Sequence, residues 1–453
     1  MKTLSGGAGS SGAAIVAACL AIGVQPALAQ SADGSRPGDL FSFDQIGKDA
    51  GQVLKNSGIY LHAGYVNDIL ANVKGGNTTG ATATGDAFVG ADFDMNTIAG
   101  IPNAAVHVIV DDRTGKSISE LAGTQFGLSG QNGPSDTIRL SEFSWDQSLF
   151  NDHVRILLGR INPTAEFATS DLSCNFVSNI TCAQPFAWYV NNSGVAYPVS
   201  TWGGRITLKP SLPTYLRVGV YQDDQTFGSV EDHGFDWGTN TSDGVFIPFE
   251  LGYQTNFSNA RYPFKYDIGG YYDTGSYTVP AASGATDLNR RGRTAFYAQM
   301  QQTVWRPDLS TNRSLTVMGG VLVDTGGYGV YPLTVYTGAQ LRGPFTGRPN
   351  DAVGFEASYL TINTSAQDQV TDTFDSLGLT APDHSNEWIF EMNYKFAIAP
   401  GVSLMPAAEY VIHPDEIGFN DPSPGVDHAF VVGVQVAVNL GEMFGMPQYL
   451  RAD

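Results

Sequence analysis

Two runs near the end of the chain alternate with a period of two residues. In 429–440, Phe430, Val432, Val434, Val436, Val438 and Leu440 fall on one side. Ala429, Val431, Gly433, Gln435, Ala437 and Asn439 fall on the other. In 387–396, Trp388, Phe390, Met392, Tyr394 and Phe396 alternate with Glu387, Ile389, Glu391, Asn393 and Lys395. Successive side chains of a strand point to opposite faces. A tilted run of about ten such residues spans a bilayer. Its large apolar residues face lipid, and its small or polar ones face a wet lumen. That is the pattern of an outer-membrane barrel, and it restricts what the chain can do.

Only 15% of residues are charged, and the mean hydropathy is near neutral. Beyond the N-terminal leader, no run reaches the roughly 18 apolar residues of a spanning helix. A membrane protein of this composition is therefore a closed barrel, the other structure that pairs every backbone group in lipid. The leader itself reads as a cleaved export signal, residues 1–29. It has Lys2, an apolar stretch over 13–24, and the small-x-small site Ala27-Leu28-Ala29, which leaves Gln30 first.

The formal charge is −20. Such acidity argues against nucleic acid as a partner. It also argues against a channel dedicated to phosphate-like anions, which wants basic rings. Neutral solutes remain compatible. Of three cysteines, Cys19 leaves with the signal. Cys174 and Cys182 remain, and an exported chain with two cysteines favours a disulfide between them.

Strand-like runs and turn-rich segments alternate from 58–70 to 428–440, giving about sixteen candidate strands. The expected fold is all-β: a transmembrane antiparallel β-barrel over 58–440 with a short N-terminal helix before the first strand. Residues 30–57 form the periplasmic-side lead-in, and 441–453 a C-terminal tail. In the lead-in, Asp44–Asn56 reads as a helix with Ile46, Val53 and Leu54 as its apolar stripe and Gly58 as its stop. Pro210-Ser211-Leu212-Pro213 and Ala399-Pro400-Gly401 are short turns. The connections 163–199, 223–244 and 361–384 are long and without an evident element. Barrels keep tight turns on the periplasmic side and long loops outside.

No enzyme constellation stands out. The seven histidines have no metal-ligand spacing, and Asp92 with Asp94, or Asp111 with Asp112, read as solvated turn residues. No cofactor or metal is expected. Glu250, Gln254, Glu356, Glu391, Asn393, Lys395, Glu409, Gln435 and Asn439 fall on the non-lipid face. There they are expected to solvate the wall, because a cation facing lipid at the midplane costs about 2–4 kcal/mol. Sugar recognition combines aromatic faces with planar polar groups. Two segments offer both: Tyr197-Pro198-Val199-Ser200-Thr201-Trp202-Gly203-Gly204-Arg205 and Leu341-Arg342-Gly343-Pro344-Phe345-Thr346-Gly347-Arg348-Pro349. Trp202 is equally suited to an interfacial aromatic girdle.

These two segments resemble the carbohydrate-selective porins of Gram-negative outer membranes, the OprB type. Leu158-Gly159-Arg160-Ile161-Asn162-Pro163, Gly270-Tyr271-Tyr272-Asp273-Thr274 and Tyr410-Val411-Ile412-His413-Pro414 extend the match. The resemblance implies a sixteen-stranded barrel whose constricted lumen passes glucose-like sugars by diffusion. It places Arg160, Arg205, Arg342 and Arg348 in arginine-bearing motifs, to which Trp202 and Glu391 are added as substrate-binding candidates. Arg160 follows the lipid-facing Ile156 and Leu158 at the same spacing, so a channel-lining place for it requires a bulge or a strand end. Members often open with Asp-Trp-Gly-Gly, absent here around 41–49, so the pore-mouth element is expected to differ. Barrels also commonly end on an aromatic residue, whereas here a tail follows the last strand, with Phe444 or Leu440 as the substitute.

The expected function is passive diffusion of small carbohydrates. Implied partners are outer-membrane lipid, lipopolysaccharide and the barrel assembly machinery, and a homotrimer is left open. Competing readings are a general or differently selective porin, a barrel enzyme such as a lipase built on Ser403 and His413, and a soluble exported β-protein such as an adhesin.

Overall fold

The computed structural model describes residues 44–449, apart from 126, 132, 134–135, 183, 193–195, 212, 280–287, 328 and 420–421. The expected signal lies outside the described residues. Sixteen strands form one closed barrel. They are β1 Ile59–Gly75, β2 Gly80–Asp94, β3 Ala104–Gly115, β4 Ile138–Leu149, β5 Val154–Ile161, β6 Thr201–Ser211, β7 Thr214–Asp223 and β8 Gly244–Gln254. β9 Phe264–Val279, β10 Leu288–Trp305, β11 Ser314–Asp324, β12 Leu333–Arg342, β13 Ala352–Thr361, β14 Asn386–Ala399, β15 Val402–Ile412 and β16 His428–Asn439 complete it. Each strand pairs antiparallel with its sequence neighbours, and β1 pairs with β16 from Gly64↔Asn439 to Gly75↔Ala429.

The two faces follow the sequence alternation. On β14, Glu387, Ile389, Glu391 and Asn393 are buried, while Trp388 and Met392 are exposed. Phe249, Leu251, Tyr253, Phe355 and Tyr410 are exposed on the same outer wall. The N-terminal helix and the chain end beside the turns 150–153 and 400–401, at what is here termed the turn end. The long connections 116–137, 162–200, 224–243, 362–385 and 413–427 gather at the opposite loop end.

Two helices differ from expectation in informative ways. Asp44–Asn56 is helical over the expected residues, and Gly58 ends it with φ +76°. Its packing face is not the apolar stripe, however. Val53 is 66% exposed, while Gly47 and Gly51 are buried. The connection after β13, expected to be irregular, carries a helix, Thr364–Ser376. Asn363 caps it by accepting from the Ser365 N–H at 2.8 Å, and Ala366, Val370 and Phe374 are buried at four-residue spacing. The Ser403–His413 pair that a lipase reading would require does not form. The two residues stand at opposite ends of β15, roughly 30 Å apart at strand rise.

Carboxylates tie the loop end together. Asp415 accepts from the Tyr331 hydroxyl at 2.5 Å and from the N–H groups of Gln125 and Ile417 at 3.1 and 2.9 Å. Glu416 accepts from the Asn77 side chain at 3.1 Å. Burial pushes the Glu416 carboxyl up to about 8. A raised carboxyl favours the folded loop while it is protonated. That contribution is complete below about 4.5, the unfolded glutamate value, and is lost as pH rises through about 8. Limited proteolysis of the 413–427 loop should therefore quicken across that window, and Glu416→Gln should flatten the rise. Cleavage independent of pH in the unmodified protein would contradict this assignment.

Candidate functional site: the lumen constriction

Inside the barrel lie the described residues of the 162–200 connection. It crosses the lumen and is fixed at two places. At the first, Glu250 of β8 accepts from the Ala168 N–H at 2.7 Å and from the hydroxyls of Tyr215, at 2.7 Å, and Tyr297. Lys265 of β9 donates to the Thr169 carbonyl at 2.6 Å, as Gln299 of β10 does at 3.0 Å. At the second, Glu391 of β14 accepts from the N–H groups of Val177 at 3.1 Å and Ser178 at 2.7 Å. Glu356 of β13 accepts from the Thr181 hydroxyl at 2.7 Å. Trp188, with no exposed surface, is packed edge-on against Tyr271 and Tyr297 at 5.0 and 5.1 Å.

These contacts correct one expectation. Glu250, Glu356 and Glu391 were expected to solvate the wall, and instead they hold the loop. The reason is mutual need. A carboxylate on the inner wall requires donors, and an irregular loop carries backbone N–H groups without ladder partners. Charge-assisted bonds satisfy both.

The loop leaves open the part of the lumen bounded by β3–β9. This space of about 920 Å³, counted with its solvent-filled mouth, is lined by Arg155, Arg205, Arg217, Lys265, Glu142, Asp146, Glu166 and Asp171, with Asn162, Tyr197 and Gln254. Strand register sets the basic wall. Arg155, Thr207, Arg217 and Glu250 occupy directly opposed positions on four adjacent strands. Arg155 donates to both oxygens of Asp146, Nε to Oδ1 at 2.9 Å and to Oδ2 at 3.1 Å. Arg205 pairs with Glu166 of the loop and donates to the Thr207 hydroxyl at 2.6 Å. Arg217 lies 3.6 Å from Glu250 and over the Tyr215 ring at 5.1 Å. The space thus presents cations and carboxylates side by side, as paired groups.

Of the sequence-derived candidates, Arg205 lines this space. Arg342 takes the inward parity at the turn end of β12, half-buried and within electrostatic reach of Asp171. Glu391 is buried beneath the loop. Arg160 has no exposed surface. No bulge intervenes, so it keeps the outer parity, directly opposite Phe143 and Trp202. The 224–243 loop covers it, with its guanidinium 4.4 Å from the Phe227 ring and Nη1 donating to the Asp236 carbonyl at 2.7 Å. Trp202 also sits on the outer side, 5.2 Å from Trp237 of that loop. Arg348 belongs to the turn after β12, where it pairs with Asp351 at 2.8 Å and donates to the Ala397 carbonyl at 3.2 Å. Sequence reasoning missed Arg155, Arg217 and Lys265. Each sits between two outward residues, such as Leu216 and Val218 around Arg217, and strand parity alone marks them as inward.

The Cys174 and Cys182 sulfurs stand 3.6 Å apart, a thiol contact rather than a covalent bond of about 2.05 Å. Their mutual hydrogen bond, and then burial, push the Cys182 thiol up. We propose that they join in the oxidising compartment, closing a short loop worth about 2–3 kcal/mol. Two maleimide-reactive thiols in protein purified without reductant would refute the bridge.

Glu391→Ala is expected to leave the Val177 and Ser178 N–H groups without an acceptor, at about 1–3 kcal/mol each. The barrel should still assemble, and single-channel current should become larger and noisier as the loop loosens. A quiet, unchanged current would mean that Glu391 does not hold the loop.

Comparison with known proteins matches this architecture. The chain is 25% identical over 410 residues to the "Putative porin QuiX" of Acinetobacter baylyi, covering 86% of this chain and 90% of that one. It is 23% identical over 397 residues to "Porin B" of Pseudomonas aeruginosa, covering 82% and 85%. The "High pH structure of Pseudomonas putida OprB" superposes with a TM-score of 0.79 at 20% identity, over 88% of this chain and 100% of that one. The family description "Carbohydrate-selective porin, OprB family" matches residues 78–440. With its closed barrel and inserted loop, this outer-membrane channel, which is not an enzyme, belongs to the OprB family of carbohydrate-selective porins.

Proposed function

We propose that the chain passes small neutral sugars of the glucose type by passive diffusion along the basic wall. The observation that carries this reading is the pairing of Arg155 with Asp146 and of Arg205 with Glu166 in a space open to solvent. Paired charges offer a passing ion little net field. They still offer a hydroxyl-rich solute alternating donors and acceptors at fixed spacing. Weak, repeated contacts suit flux, because a tight site would not release its solute. The acidic chain fits a neutral substrate better than an anionic one. Of the candidates read from the sequence, Arg205 is the contact residue, joined by Arg155, Arg217 and Lys265, while Arg342 faces the lumen from β12, outside this space. Arg160, Trp202, Arg348 and Glu391 act by holding loops and turns.

Arg205→Ala should lower glucose flux into liposomes more than the flux of an uncharged non-sugar of equal size. Arg160→Ala should change both solutes in parallel, if at all, because it works through a loop. Parallel changes for both variants would favour a general small-solute pore in which Arg205 only sets width.

A further inference from the structure

The family match ends at residue 440, but the chain does not. After β16 closes the barrel, the backbone turns under its turn end. Asn439 caps this bend by accepting from the Glu442 N–H at 2.9 Å, and the Met446 N–H returns to the Gly441 carbonyl at 2.8 Å. Phe444–Pro447 then pass against the N-terminal helix. A Cβ on Gly47 would come within 2.3 Å of the Phe444 carbonyl oxygen, and one on Gly51 within 2.6 Å of the Pro447 ring. Only glycine admits the tail that closely, which explains why the helix buries Gly47 and Gly51 rather than Val53.

Beyond that contact the chain enters the lumen. The Tyr449 ring lies 5.3 Å from Tyr60 and 5.9 Å from His107, edge-on to both. Tyr60, Asp92 and His107 are directly opposed on β1, β2 and β3 and form one inward row. His107 bonds Asp92 at 2.5 Å and lies 3.6 Å from Asp146. Asp146 in turn holds Arg155 of the basic wall. Tyr449 therefore stands between the constriction and the turn-end opening.

We propose that residues 441–449 are a strap across the turn-end mouth, clamped by the glycine face of the N-terminal helix, and that Tyr449 is a second specificity-determining side chain at the exit. Its ring, edge-on to Tyr60 and His107, gives a pyranose an apolar face at the point of release. The second half of this statement rests on the sugar-channel reading. The first half does not, and ion current alone decides it.

The test uses purified full-length protein in planar bilayers, with heat-modifiable gel migration as the check on assembly. Tyr449→Ala, Gly51→Leu and a chain ending at Gly445 are each compared with the unmodified protein. Gly51→Leu wedges the strap away while keeping Tyr449. Each change should raise single-channel conductance, the truncation most, and Tyr449→Ala should also weaken glucose block of the current. If the truncated chain does not assemble, the two point variants carry the test. Unchanged conductance in assembled Tyr449→Ala and Gly51→Leu proteins overturns the strap. Raised conductance with unchanged glucose block leaves the strap standing and removes the specificity role of Tyr449.

Discussion

An unpaired peptide group in lipid costs several kcal/mol, and this cost makes the closure of β1 on β16 the constraint on which everything else depends. Closure fixes the register, and the register fixes parity. A slip of one residue would turn Phe430 and Val432 into the lumen and Gln435 toward lipid. With parity fixed, the charges of the strands collect inside. Charges collected inside a narrow barrel need partners that the strands alone do not supply. The inserted loop supplies many of them.

The two inner walls are chemically unlike, and the loop responds to the difference. On one wall, Glu356, Glu391 and Glu409 occupy directly opposed positions on β13, β14 and β15. Like charges so placed repel. Backbone N–H groups of the loop are suitable neighbours for them, and the loop lies there. On the other wall, Arg205 pairs with Glu166 of the loop and Arg217 donates to the Glu166 carbonyl, and with Arg155 and Asp171 they border the open space. The loop thus covers the acidic side and is also held by Glu250 and Lys265 on β8 and β9, leaving open the space bordered by Arg155, Arg205 and Arg217. The position of the channel follows from where the strands place their carboxylates.

Much of the barrel is legible in the sequence because lipid imposes a short-range rule. Alternation in β14 and β16 is local, and so are the turn residues between strands. The helix Asp44–Asn56 is legible for the same reason, although its glycine packing face is not, since the partner lies at the far end of the chain. The loop insertion is illegible for a related reason. Glu391 meets residues 214 and 213 positions away, and Glu250 meets one 82 positions away. Parity states that these glutamates face inward, but it cannot state what they will meet. Family motifs drew attention to Arg160 and Arg348, which geometry puts under a loop and in a turn. Arg155, Arg217 and Lys265 carry no motif, and plain strand parity is the signal that marks them.

The central claim is that the inserted loop, held by Glu391 and Glu356 on one side and by Glu250 and Lys265 on the other, leaves a weak sugar path beside Arg155, Arg205 and Arg217. Single-channel recording of the unmodified protein during a glucose titration tests it most directly. The account predicts a graded, saturable reduction of ion current by glucose, larger than that caused by an uncharged non-sugar of the same size. An equal reduction by both solutes, tracking only the viscosity of the solution, would contradict it.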